Sequence, residues 1–139
     1  MKNLKIIYGA LLASLVLFGG FLATLANSNG SFPKDVSGIV LGITVFFLPV
    51  AWYIPLFFAK KKMILEKLTL KEKFDSYSQS KILAVIFLDA GYTINGVFYF
   101  VTADPIHWIG MGIFFTAMLI LYPKEKEFAA MYSGEPGLR

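Results

Sequence analysis

The sequence predicts an all-α membrane protein: four transmembrane helices in two in–out–in hairpins, with a short amphipathic cytoplasmic helix between spans two and three. Three observations predict it. Of 139 residues, 57% are hydrophobic and 16% charged, whereas about a quarter of an ordinary soluble domain is charged. The apolar residues gather into four runs, at 6–26, 36–59, 82–103 and 106–122. Finally, of the 13 basic residues all but Lys34 fall on one side of a four-span chain. The length predicts a single domain.

A bilayer core about 30 Å thick takes roughly 20 apolar residues in a helix. The runs set spans at about 4–27, 36–59, 80–103 and 105–122, with a cytoplasmic linker at 60–79 and a cytoplasmic tail at 123–139. Lys2 and Lys5 ahead of the first run resemble the basic start of a signal peptide. Its apolar stretch exceeds the roughly 7–15 residues of a signal sequence, so it reads as an uncleaved span. The loop after it carries Asn27-Ser28-Asn29-Gly30-Ser31 and Pro33, all turn formers. In span two, Gly38 and Gly42 form a GxxxG packing face. Pro49 removes a backbone donor in mid-span and predicts a kink there.

Lys60-Lys61-Lys62 stops span two. Thr69 and Glu72 have the spacing of a capping box, which predicts a helix from about Leu70. On that helix Phe74, Tyr77 and Lys81 share a face at spacings of three and four. Spans three and four are joined only by Asp104-Pro105, an N-cap followed by a first-turn proline.

The lysine bias assigns the N-terminus, the linker and the C-terminal tail to the cytoplasm. The expected location is a bacterial inner membrane. The same bias accounts for the pI near 9.3 without any nucleic-acid partner. The bilayer itself is the expected partner, with anionic lipid along Lys60 to Lys81, where each basic group contributes about 1 kcal/mol near an anionic surface. Tyr8, Trp52, Tyr53 and Tyr122 fall near the inner boundary, and Tyr99 and Trp108 near the outer one, as interfacial belts require.

Asp89 is the only formally charged side chain inside the apolar runs. It lies roughly 10 Å into the core at 1.5 Å per residue. An ionised carboxylate there costs about 2.5–3.5 kcal/mol on insertion scales, so it needs donors, a proton or a partner. Tyr92, Asn95 and Tyr99 follow on the same helical face and complete the expected polar site. Gly91 and Gly96 allow neighbouring helices to approach it closely, and Ser14, Thr24, Thr44 and Thr116 offer hydroxyls from other spans. His107 beside Trp108 reads as a polar boundary residue.

No cysteine and a single histidine leave no metal or cofactor site to expect. Asp104 and His107 lack an activated nucleophile, and no catalytic motif is present, so the expectation is not an enzyme. The expected function is an accessory or assembly subunit working through helix–helix contacts, with a protein partner or a second copy in the membrane. The alternative is a small proton- or cation-coupled transporter or channel component that uses Asp89.

Overall fold

The computed structural model describes residues 1–25, 33, 35–53, 56–57 and 68–132. Helices are the only regular structure among them. They are α1 (Lys2–Leu25), α2 (Asp35–Tyr53), α3 (Leu70–Thr102), α4 (Ile106–Ile120) and α5 (Glu125–Tyr132). The first three are long and apolar enough to cross a membrane, and α4 is a shorter apolar helix of 15 residues.

The start of α3 follows from local chemistry. Glu72 N–H donates to Thr69 Oγ1 at 3.4 Å, and Thr69 N–H donates to the Glu72 carboxylate at 2.7 Å. The reciprocal pair satisfies two donors that a helix start leaves unmet. From Leu70 the helix runs unbroken for 33 residues, about 50 Å. The helix expected from about Leu70 in the linker is continuous with span three, as the first part of α3. The reason is that neither glycine nor proline occurs between Leu70 and Ala90 to stop the helix. Linker residues 60–67 lie outside the described residues.

Two local features end α3 and begin α4. Ala103 takes the left-handed conformation (φ 52°) and its N–H bonds Tyr99 O at 2.8 Å, closing the last turn. Thr102 Oγ1 donates to Phe98 O at 2.6 Å and accepts the Asp104 N–H at 3.2 Å. The Asp104 carboxylate then accepts the Ile106 N–H at 3.1 Å from one residue ahead of the cap, since the cap residue of α4 is Pro105 and not Asp104 as expected. The hairpin is tight.

In α2 the break falls at Phe46, which forms a turn between two helical stretches. Pro49 has no N–H to give the carbonyl of residue 45, one turn earlier, and its ring crowds that carbonyl. Phe46 N–H bonds Ile43 O at 3.2 Å, and Val50 N–H reaches Phe46 O at 3.4 Å. The distortion thus appears a turn ahead of the proline that causes it.

Helix α3 is the centre of the bundle. Its Val85, Leu88 and Tyr92 pack with Tyr8, Leu15 and Leu22 of α1, Ala51 of α2, and Met111, Phe114 and Met118 of α4. Gly91 and Gly96 lie on this buried side. A methyl at 91 would run into the Phe114 ring, and one at 96 into Phe18 and Leu22. The outward sides stay apolar. Leu17 is 75% exposed, Phe46 72% and Ile39 64%, a surface suited to hydrocarbon rather than water.

A second, smaller cluster forms where α5 folds back. Leu4 and Tyr77 are buried there against Met1, Ile82 and Phe128. Phe128 stacks edge-on to Phe74 and Tyr77. Lys5 of α1 pairs with Glu125 at 3.0 Å. The tail carried no structural expectation from sequence; it supplies α5 and these contacts.

Candidate functional site

The four residues expected to share one polar site go four ways. Tyr92 donates its hydroxyl to Leu15 O at 3.0 Å, tying α3 to α1. Tyr99 packs edge-on to Trp108, 5.3 Å between ring centres, at the hairpin end. Asn95 is fully buried and turns toward α2 and α4. Asp89 is half-buried, and its one hydrogen bond among the described residues is from Thr93 Oγ1 at 3.5 Å.

Geometry explains the isolation of Asp89. Residues three before and four after it share its stripe of the helix. These are Ile86, 54% exposed, and Thr93, also exposed, whereas those four before and three after, Val85 and Tyr92, are buried. Val97, one turn further, is 48% exposed. The carboxylate therefore stands at the outer edge of the bundle, not in its core.

The core polar site is built around Asn95 instead. Its Nδ2 donates to Gly91 O at 2.9 Å and to Thr44 Oγ1 of α2 at 3.1 Å. A carbonyl only accepts, so the amide nitrogen must face Gly91 and the amide oxygen must face the other way. That oxygen lies 3.1 Å from Nδ1 of His107. The proton of the neutral imidazole is thereby assigned to Nδ1, and Nε2 is left as an acceptor. Nε2 is buried without a hydrogen-bond partner among the described residues, as is Ser37 Oγ on α2. Only glycine fits at 110, since a methyl there would strike the Asn95 amide.

One amide therefore joins three helices. The sequence placed Asn95 on the inward face, and Thr44 among the available hydroxyls, but read His107 as a boundary residue. Position 107 is in the first turn of α4, where that reading is natural. The signal available was the short Asp104-Pro105 turn. In an antiparallel pair turning at 103–105, a residue just after the turn lies level with one just before it. His107 accordingly packs against Phe98, with ring centres 5.9 Å apart.

At the other end of the bundle Lys81 is buried, 5% exposed. Its ammonium donates to Glu127 Oε1 at 2.7 Å and to Leu121 O at 3.1 Å. The Tyr77 hydroxyl lies 3.1 Å from Glu127 Oε2 and 3.3 Å from Lys124 O. Tyr8 of α1 donates to Met118 O at 3.0 Å. These bonds hold the end of α4, and α5 after it, against α1 and α3. The sequence put Tyr77 and Lys81 on one face but gave no sign of Glu127, which is 46 positions away.

The glycines divide into two kinds. Gly91 and Gly96 meet neighbouring side chains, as described. At Gly38 and Gly42 an added methyl meets nothing within 4 Å. The GxxxG face of α2 has no neighbour among the described residues. Among those residues, no three of histidine, aspartate and glutamate converge as a metal site. Comparison of the chain with known protein families, curated proteins and solved structures finds no match.

Proposed function

We propose that the chain is a four-span integral membrane protein with both termini cytoplasmic. It acts without catalysis, as an accessory or assembly subunit working through helix–helix contacts. Asp89 carries this reading. It stands at the edge of the buried face of α3, beside exposed Ile86 and Thr93, with one long hydrogen bond. A carboxylate facing hydrocarbon costs about 2.5–3.5 kcal/mol on insertion scales. A neighbouring membrane helix bearing a lysine, arginine or amide at that depth offsets the cost. The bare Gly38–Gly42 face, flanked by exposed Ile39 and Ile43, suits a second close helix contact.

The fourth span is α4. Its 15 residues reach about 22 Å. That falls short of a core of about 30 Å, which local thinning and interfacial anchors accommodate. Trp108 and Tyr122, near its two ends, are residues of the anchoring type. The lysine bias supports the orientation.

A photo-cross-linking residue placed at Ile86 or Thr93 tests the partner in native membranes. Adducts to a second membrane protein are expected at both positions, and Asp89→Leu should remove them. The same probe at Leu17 on α1 should capture lipid alone. Proton or cation flux through liposomes holding only the purified chain, abolished by Asp89→Asn, would overturn this reading in favour of the transporter alternative.

A further inference from the structure

Beside the Lys81–Glu127 pair a cavity of about 170 Å³ opens between the end of α2 with Leu56 beyond it, α3, the end of α4 and α5. Its lining divides by chemistry. Ala51, Leu56, Ala84 and Leu121 form apolar walls, whereas Trp52, Ser80, Lys81 and Glu127 supply an aromatic face, a hydroxyl and two opposite charges. Two of the three N–H donors of Lys81 are taken by Glu127 and Leu121 O, and the ammonium also lies 5.6 Å from the centre of the Tyr77 ring. The Glu127 side chain keeps 31% of its surface exposed. The pair therefore borders the cavity through Glu127 as well as fastening α5 to α3.

We propose that the cavity seats the headgroup of a phosphoethanolamine lipid, with the acyl chains leaving along the apolar walls. The phosphodiester accepts the remaining Lys81 N–H. The primary ammonium donates to Glu127 and lies against the Trp52 ring. Set antiparallel to the ion pair, this zwitterion completes a ring of four alternating charges, so neither protein charge gives up its partner. An anionic headgroup would bring negative charge against Glu127. A choline headgroup has no N–H to offer the carboxylate. The volume equals that of about five or six waters. That is enough for a headgroup and well below the roughly 300 Å³ where clefts for larger ligands begin.

The site rests on the membrane-spanning reading, and the test separates the two. The protein has two tryptophans, so Trp108→Phe leaves Trp52, at the cavity, as the sole emitter. This variant is reconstituted in phosphatidylcholine vesicles containing a small fraction of brominated phosphatidylethanolamine, phosphatidylcholine or phosphatidylglycerol. The brominated chains quench a tryptophan they touch. The ethanolamine lipid is expected to bind at Trp52 roughly fivefold more tightly than either of the others, the step a solvent-screened ion pair gives.

Glu127→Gln retains an oxygen for Lys81 but not the charge, and should lower the ethanolamine lipid to the level of the choline lipid. Equal quenching by all three lipids, or a preference that survives Glu127→Gln, overturns the site. Should that variant fail to fold, Trp52→Phe provides the control, because Trp108 at the far end should show no headgroup preference. An equal preference there overturns a local site. Soluble glycerophosphoethanolamine should leave the quenching intact, and relief by it overturns the assignment to a lipid. If no brominated lipid quenches either tryptophan, the membrane reading itself falls.

Discussion

Asn95 uses one side-chain amide to satisfy groups on three helices. Its two N–H bonds go to Gly91 O and Thr44, and its oxygen meets Nδ1 of His107. In hydrocarbon no water can replace these partners. Asn95→Leu keeps the approximate volume but strands the imidazole and leaves the Thr44 hydroxyl only its bond to Leu41 O. Interhelical hydrogen bonds in membranes average about 0.6 kcal/mol and reach about 1.7, so a loss of about 1–2 kcal/mol is expected. Unfolding in detergent titrated with dodecyl sulfate, followed by tryptophan emission, measures it. Asp89→Asn in the same assay should stay within about 0.5 kcal/mol of the parent, since nothing in the core depends on it. A larger loss for Asp89→Asn than for Asn95→Leu would reverse the proposed roles. Helical spacing alone made the inward position of Asn95 legible. It could not reveal which side chains on other helices meet it, because pairing across helices depends on register and rotation that no local pattern encodes. Asp89 shows the converse. Its charge was legible, and its place at the bundle's edge was not.

Among the elements, caps and breaks were the most legible, because each is decided within a few residues. The Thr69–Glu72 box depends on neighbours in the chain and occurs as its spacing predicts, and Asp104 bonds the first N–H of α4 although the cap residue is Pro105. Packing faces were less legible, since four glycines of one chemistry serve two purposes. Gly91→Ala and Gly96→Ala force a methyl against Phe114 or Phe18 and should each cost about 1–3 kcal/mol. Gly38→Ala and Gly42→Ala meet open space. They should leave the isolated fold as stable or slightly more stable, by up to about 1 kcal/mol from helix propensity. Their effect should appear instead as weaker cross-linking to the partner. The same unfolding assay distinguishes the pairs, and equal destabilisation by all four would remove the case for a free α2 face. The length of α3 is also testable, because the chain has no native cysteine. Single cysteines at Lys71, Asp75 and Gln79 should react with a membrane-impermeant maleimide in opened vesicles, whereas those at Leu83 and Ile86 should not. Reaction at all five positions would take α3 out of the bilayer.

Across the whole molecule the proposed topology is tested by reporter fusions at Asn29 and Met131, which should report opposite sides of the membrane. Agreement between them would overturn four spans. The broad class was legible because hydropathy is additive along a chain and requires no knowledge of packing. The fastening of the C-terminal segment was not. It depends on Glu127 meeting Lys81 and on Glu125 meeting Lys5, two contacts between parts of the chain remote in sequence.

The unbroken course of α3 has a further consequence. The helix carries Thr69 and Lys81 at one end and Asp89, Asn95 and the Ala103 turn toward the other, with no joint between Leu70 and Ala90. Each residue advances an α-helix by about 100° of rotation as well as about 1.5 Å of rise. The direction in which Asp89 points is therefore phase-locked to the direction in which Lys81 points. Inserting one alanine after Gln79 would turn the two ends out of phase by about 100° while lengthening the chain by a single residue.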